Sequence, residues 1–460
     1  MKHLNTLAMI YALVVGMVLL SWMVPSGEYA RVTENGRTMV VPDSYRRVSS
    51  EPPGLDAALT APVKGFVKAA EIIVFLFIVG GAFSVLQSTG AVEAGVRRLA
   101  GFLAQRPNRR RLFIPVFMVL FSAGGTIFGM CEETLPFVLI FVPLSLSLGY
   151  DTIVGTAIPF LGAAAGFAAA VINPFTVGIA SSIAELPLAA GMGYRLFVWI
   201  ISTLFTILFV MRYAAKIEKN PAASPTFALD EQKRRTGLQA EFDAAPLTPR
   251  LRGVLIAVGL AFPILIYGVL AHHWFIIEMA GFFLGLAMVA AFIAGLSIDD
   301  FTDSFKAGAK EMVGVALIIA CARALLVVAE EAKILDTFLH AASFFIAKLP
   351  PVFAAQAMFV AQAVINFFVH SGSGQAMLTM PVMTPLADVI GISRESAVLA
   401  FVFAEGWINP VLPTSGVTMG VLGLAGIPWS KWAKWMLPLQ IFFFIVALLL
   451  LIPPVLLFGR

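Results

Sequence analysis

The sequence predicts an all-α polytopic membrane protein with inverted repeats, two re-entrant hairpins and two interrupted transmembrane helices. Three observations carry that expectation. The apolar excess is too large for a water-soluble globule, basic blocks fix which span ends lie inside, and Gly-rich and Asn-Pro breaks recur in the same order in both halves.

Apolar residues make up 59% of the 460 positions and charged ones 13%, with a mean hydropathy of +0.91. Soluble domains carry about 45–50% apolar and about 25% charged residues. This chain has too little charge to coat a globule of its size. The net charge is +4, but most Lys and Arg fall in short loops beside apolar runs, where they set orientation. No nucleic-acid partner is read from them. Cys131 and Cys321 form neither a disulfide framework nor a metal cluster. The histidines (His3, His272, His273, His340, His370) show no metal-ligand spacing; His272 and His273, at a span end, are expected to mark the membrane interface.

Leu4 to Val24 reads as a retained first span with its amino end inside, because it lacks the small-x-small cleavage pattern of a signal peptide. Pro25 to Lys64 reads as a polar external loop, and Phe66 to Ser88 as the second span. Arg97, Arg98, Arg106, Arg109, Arg110 and Arg111 then mark the cytoplasmic side. A second basic block, Lys216 to Arg252, contains Lys233, Arg234 and Arg235 and reads as a flexible cytoplasmic connector.

Between two cytoplasmic blocks the chain must cross an even number of times. Five apolar runs lie in 112–213. Parity is met if 112–148 is a hairpin entered from the cytoplasm, 152–190 is one span interrupted near Asn173-Pro174, and 194–213 returns inside. The domain expectation is thus 1–213 for the first half, 214–252 for the linker and 253–460 for the second half. In the second half, spans 253–271, 275–296 and 311–331 precede an external amphipathic stretch, 332–349. A hairpin at 352–390 entered from outside, an interrupted span at 394–427 and a last span at 433–458 follow. The total is nine crossings and two hairpins, with the carboxyl end outside.

The repeat is visible in the breaks. The first half has Ser122-Ala-Gly-Gly-Thr126 (with Gly124 and Gly125), Pro136, Gly149 and Asn173-Pro-Phe-Thr176. The second has Ser371-Gly-Ser-Gly-Gln375 (Gly372, Ser373, Gly374), Pro381, Gly391, Asn409-Pro410 and Thr414-Ser415-Gly416. Unpaired backbone in hydrocarbon costs several kcal/mol per group, so irregular chain at that depth survives only inside protein or beside a watery cavity. Breaks also expose helix ends: amino ends favour a carboxylate, and freed carbonyls suit Na⁺. Paired interrupted segments in inverted halves are the sequence pointer to the midplane site of a secondary transporter. Close helix packing at small residues is the competing account, and four breaks in matching order make it the weaker one.

The run Gly125-Thr-Ile-Phe-Gly-Met-Cys-Glu-Glu-Thr134, Asn173 to Ala180, Ser371-Gly-Ser-Gly-Gln-Ala376 and Pro413-Thr-Ser-Gly416 resemble the YfcC subgroup of the anaerobic four-carbon-dicarboxylate carrier family. The resemblance spans nearly the whole chain. One departure is His370, where the pattern has proline. The resemblance implies the ion transporter superfamily fold, with a dimerising scaffold domain and a transport domain that moves as an elevator. It implies a homodimer in the bacterial cytoplasmic (inner) membrane and a small-molecule substrate. Members are dicarboxylate carriers, and a related group exchanges basic amino acids, so the family leaves the substrate open.

Ionisable residues within spans are costly and functional by default. Glu132 and Glu133 follow the first Gly-rich break, and Glu405 precedes the second Asn-Pro pair. Adjacent helical residues point about 100° apart, so Glu132 and Glu133 need not face the same way. Three roles fit these carboxylates: Na⁺ ligand, proton carrier, or partner of a substrate ammonium. Arg323 needs a partner, either Glu330 or Glu331 in a structural ion pair, which is favoured, or a substrate carboxylate. Thr134, Asn173, Thr176, Asn409, Thr414 and Ser415 add neutral hydrogen-bonding groups.

A dianion would meet several carboxylates and one arginine, and would need Na⁺ or H⁺ to offset the repulsion. An amino acid fits the charge more directly. Both stay open for a symporter or exchanger without a cofactor. No Gly-x-x-x-x-Gly-Lys-Ser/Thr run is present, so ATP-driven pumping lacks support. A passive channel would need a continuous polar stripe. An intramembrane enzyme would need a nucleophile–His pair or metal motif beyond Glu132 and Glu405.

Overall fold

The computed structural model describes residues 6–34, 37–41, 43–49, 52–91, 94–95, 98, 107–237, 248–272, 274 and 276–458. His3, Leu4, Arg97, Arg106 and His273, named above, lie outside them. The chain is mostly helical. Six described helices are long and apolar enough to cross a membrane: Ala70–Ser88, Met192–Lys219, Ile276–Ala294, Val313–Glu331, Arg394–Ala425 and Trp429–Leu456. Leu7–Met23 and Thr152–Phe167 are among the shorter apolar ones.

Helix α1 (Thr6–Met23) buries Ile10, Val14 and Val18 at helical spacing. The region expected to be a loop holds more order than its polarity indicates. Strand β1 (Gly27–Glu28) pairs with β4 (Arg46–Arg47), and β2 (Arg31–Glu34) with β3 (Arg37–Val40), both antiparallel. Helix α2 (Ala57–Lys68) then meets α3 (Ala70–Ser88) at the single non-helical residue Ala69. A helix therefore precedes the second expected span, and the helix long and apolar enough to cross starts at Ala70. The face that α2 buries is Ala57, Ala58, Ala61 and Gly65, small residues that work by close approach.

The next helices are α4 (Pro107–Phe128), α5 (Thr134–Ser147) and α6 (Thr152–Phe167). A π-turn at Pro174–Gly178 leads into α7 (Ile179–Ile183), and α8 (Met192–Lys219) follows. Aromatic contacts set the arms α4 and α5 antiparallel: Phe121 meets Phe137 near their junction, at 5.0 Å between ring centres, and Phe113 meets Phe141 further out, at 5.8 Å.

The connector is not wholly flexible. It forms a 3₁₀ turn at Pro221–Ala223 and helix α9 (Phe227–Gly237). Buried Ser224, Thr226 and Asp230 dock it, and composition alone hides them. Residues 238–247 lie outside the described set.

Beyond it come α10 (Pro249–His272), α11 (Ile276–Ala294) and the amphipathic α12 (Ile298–Glu311). A capping box between Ser297 and Asp300 starts α12. It bends at Met312 into α13 (Val313–Glu331). The bent pairs α2–α3 and α12–α13 pack against one another, α2 on α13 and α3 on α12. Backbones touch where Gly65 meets Ala320 and where Gly80 meets Gly308.

Helix α14 (Leu335–Ile346) falls in the expected amphipathic stretch. Then follow α15 (Pro351–Asn366), α16 (Gly372–Ile390) and α17 (Arg394–Ile408). After a 3₁₀ turn at Asn409–Val411, α18 (Gly416–Ala425), α19 (Trp429–Leu450) and α20 (Ile452–Phe458) complete the chain.

Packing sorts the helices into two groups. One contains α1–α3 and α10–α13, and the other α4–α8 and α15–α20. They meet chiefly where α13 lies on α18.

Candidate functional site at the helix breaks

The first Asn-Pro break is built on the first Gly-rich segment. Gly166 of α6 lies against the backbone of Ser122 and Thr126 on α4, too close for any Cβ. That approach lets Thr126 serve the break. Its Oγ1 donates to Ala169 O (3.1 Å) and accepts from Val171 N (3.0 Å). Asn173 is fully buried; its Oδ1 accepts from Phe175 N (2.8 Å) and its Nδ2 donates to Gly125 O (3.5 Å). Gly129, at φ +75°, leaves no room for a side chain beside Asn173.

Arg195 completes this break, and sequence reading missed it. It is 3% exposed. It donates to Val171 O through Nε (3.3 Å) and Nη2 (3.1 Å), to Ala190 O (2.6 Å) and to Leu188 O (2.5 Å). A guanidinium thus replaces the backbone donors that the interrupted helix lacks. The second break uses neutral donors: Trp432 Nε1 to Pro410 O (2.8 Å), Trp429 Nε1 to Val411 O (2.9 Å) and Thr418 Oγ1 to Asn409 O (2.7 Å).

Between α15 and α16 runs a buried polar ladder. Gln375 Nε2 donates to Gln362 Oε1 (2.9 Å), and Gln362 Nε2 to Thr379 Oγ1 (2.8 Å). Asn366 Nδ2 reaches Ala404 O on α17 (3.2 Å). Gln362 and Asn366, four apart in an apolar helix, were the available signal and were not read. Ser371 caps α16, accepting from Gly374 N (3.3 Å), and Ser415 caps α18, accepting from Thr418 N (3.3 Å).

A cavity of about 230 Å³ opens where these parts converge. Gly129, Cys131, Glu132 and Phe175 line it from the first half. His370, Ser371, Gly372, Ser373, Glu405, Asn409, Thr414 and Ser415 line it from the second. Lys68, Glu71, Ile319 and Arg323 form the opposing wall. The amino ends of α16 and α18 both open on it, with the partial positive charge that attracts a carboxylate.

The remaining expected site residues sit behind this surface or away from it. Glu133 is buried and accepts from Cys131 N (2.8 Å), so Glu132 is the cavity carboxylate of the pair. Thr134 donates to Cys131 O (2.6 Å). Gln375 belongs to the ladder, and Gly374 to the turn that Ser371 caps. Thr176 is buried, and a side chain on Gly372 would strike its methyl group. Ser122 turns towards α8, bonded to Thr203 Oγ1 (2.6 Å) and Trp199 Nε1 (2.9 Å).

The polar balance is specific. Glu405 Oε1 accepts from Asn409 Nδ2 (2.8 Å). Glu405 Oε2, Asn409 Oδ1, Thr414 Oγ1 and Thr176 Oγ1 are buried without a hydrogen-bond partner among the described residues. Such groups need donors or a cation, because burying them unpaired is costly. Of the expected partners of Arg323, Glu331 pairs with Lys64 at 2.6 Å, and Glu330 pairs with Lys68 while still acting on Arg323 through its charge. No salt bridge of Arg323 is found among the described residues. No cluster of His, Cys, Asp and Glu suited to a metal ion is found among them either.

Residues 4–455 match the family model described as C4-dicarboxylate anaerobic carrier. The chain is 34% identical to the putative basic amino acid antiporter YfcC of Escherichia coli (strain K12), covering 91% of this chain and 90% of that protein. It is 31% identical to an uncharacterized protein of Haemophilus influenzae, covering 89% of each. Among solved structures it aligns with Neisseria gonorrhoeae MtrF, of a class of antimetabolite efflux pumps. That alignment has a TM-score of 0.43 and 18% identity and covers 98% of this chain and 95% of that one. The Alcanivorax borkumensis YdaH transporter aligns with a TM-score of 0.42 and 15% identity, covering 97% of each.

Proposed function

The chain belongs to the C4-dicarboxylate anaerobic carrier family and is a membrane transporter, and on that premise we propose that it is a secondary carrier of an amino acid, basic amino acids foremost. The observation that carries this reading is the set of unpartnered oxygens at Glu405, Asn409 and Thr414, three residues that line the same cavity as Arg323. An α-amino acid brings a carboxylate for Arg323 and the amino ends of α16 and α18, and an ammonium for the oxygens. Glu132 adds a second carboxylate for a cationic side chain. The name of the Escherichia coli relative agrees with this class.

In this proposal α4–α5 and α15–α16 are re-entrant hairpins of inverted repeats, and α6–α7 and α17–α18 are the interrupted spans. Antiparallel hairpin arms and the paired breaks support it. The second packing group carries these parts and slides as an elevator against the first, with the cavity between them. The carrier works as a homodimer in the cytoplasmic membrane, as the family resemblance implies, and substrate leaves unchanged.

A second reading keeps the four-carbon dicarboxylate. The same orphaned oxygens then hold Na⁺, or Glu405 a proton, to offset the negative charge of the substrate. Uptake of radiolabelled arginine, ornithine and succinate into proteoliposomes, with and without a Na⁺ gradient, separates the two. Arginine uptake driven by internal ornithine is the expected result. Succinate uptake that requires Na⁺ or H⁺, with no amino-acid exchange, would replace the first reading by the second.

A further inference from the structure

The two interrupted helices are tied together at both ends, and the two ties are built differently. At one end Arg394, the first residue of α17, donates Nη1 to Ala184 O (3.0 Å), where α7 finishes, and to Glu185 Oε2 (2.7 Å). Its Nη2 grips Asp388 Oδ2 at the end of α16 (2.7 Å). One guanidinium thus joins the start of the second interrupted helix to the finish of the first.

At the other end, Thr152 is the first residue of α6 and carries no charge. The finishing carbonyl of α18, Ala425 O, accepts instead from Lys233 Nζ (2.6 Å), which also donates to Thr152 Oγ1 (3.3 Å). Lys233 comes from the connector, on α9. It joins the start of the first interrupted helix to the finish of the second. A cation at the last carbonyls of a helix is favourable, and here each one spans both halves.

The connector is held for this task. Asp151 caps α6 through Val154 N (2.8 Å) and accepts from Tyr213 Oη (2.5 Å) and Ser224 Oγ (2.7 Å). Asp230 accepts from Thr226 Oγ1 (2.9 Å) and Thr152 N (3.2 Å). Arg234 reaches Tyr150 O (2.9 Å). Apart from the Thr226–Asp230 bond within the connector, each of these contacts lands on the group that contains the interrupted helices. None of them involves α10–α13.

We propose that Lys233 is a positioning residue for transport: from the connector it supplies the second of two clamps that make the interrupted helices a single mechanical unit. The proposal rests on the reading that those helices carry the substrate site. The connector up to Gly237 then travels with that unit.

The full-length chain tests this with Lys233→Met, Lys233→Gln, Lys233→Arg and Arg394→Ala. Hydrogen exchange needs no substrate. Lys233→Met is expected to speed exchange about tenfold at the start of α6 and the end of α18, with Lys233→Arg restoring protection. Arg394→Ala is expected to act on peptides around Ala184 and to spare those at Ala425. In proteoliposomes Lys233→Met should lower the maximal rate at unchanged KM, with Arg restoring it. Should Lys233→Met fail to fold, Lys233→Gln carries the same expectations in milder form. Unchanged exchange at both sites would overturn the clamp. So would a defect confined to KM, or one that Arg does not restore. If the wild type takes up none of the three substrates, the substrate reading fails alone, and exchange still decides the clamp.

Discussion

Gly406 and Ala168 touch backbone to backbone: a Cβ on Gly406 would lie 2.1 Å from the Ala168 Cα. Ala168 stands five residues before Asn173, and Gly406 three before Asn409. The two interrupted helices therefore cross just ahead of their breaks. Gly406→Ala should cost about 1–3 kcal/mol by overpacking and abolish uptake. Gly193→Ala, where nothing lies within 4 Å, should be neutral or stabilising. Thermal unfolding of the two purified variants compares them directly, and equal melting temperatures would refute the crossing.

Asn173→Ala and Asn409→Ala should each abolish transport while leaving membrane insertion intact. Asn173 holds Phe175 N and Gly125 O, and Asn409 holds Glu405. Uptake assays paired with quantified membrane protein read both halves of this expectation. Normal uptake in both variants would dismiss the breaks as the site.

Ser122 offers the opposite expectation. Its hydroxyl serves Thr203 and Trp199, so Ser122→Ala should cost about 1 kcal/mol of stability and retain uptake at wild-type KM. A changed KM would return Ser122 to the substrate.

Glu405→Gln and Arg323→Gln should part in their effects. Loss of a charged hydrogen-bond partner costs about 1.5–3 kcal/mol, or about 10–100-fold in kcat/KM. Arg323→Gln should penalise every carboxylate-bearing substrate. Glu405→Gln should penalise amino acids most. A Glu405→Gln carrier with intact arginine exchange would favour the dicarboxylate reading.

Burial lowers the Lys233 ammonium from 10.5 to about 8. Between those values the docked connector binds fewer protons than the released one. Docking therefore tightens as pH rises through that window and gains nothing above it. The neutral amine still donates to Ala425 O and Thr152 Oγ1. A spin label at Glu231→Cys should accordingly lose mobility from about pH 8 to 10.5. Rising mobility would show that the attraction of the ammonium for the Ala425 carbonyl outweighs the cost of burying its charge.

Much of the architecture was legible because a membrane forces polar residues to declare themselves. Asn409-Pro410 lies where α17 stops, Asn173-Pro174 opens the π-turn that follows α6, and Glu132, Arg323 and Glu405 line one cavity. Arg195 stayed hidden because its meaning lies in the Val171 carbonyl, which sequence does not mark. Helix α2 was read as loop because it packs through Gly65 and alanines instead of an apolar stripe. The connector was read as flexible because Asp230 and Ser224 look solvent-facing until Asp151 and Thr152 are placed beside them. The choice between Glu132 and Glu133 waited on the hydrogen bond from Cys131.

The ladder of Gln362, Gln375 and Thr379 bears on how the chain is made. Helix α15 alone would carry Gln362 and Asn366 into hydrocarbon without partners, at several kcal/mol per group. Gln362 gains its partners only when α16 has been synthesised, and Asn366 its partner, Ala404 O, only with α17. On the hairpin reading proposed above, the two arms leave the translocon together. On that reading, release of α15 ahead of α16 would strand an arm that the bilayer refuses.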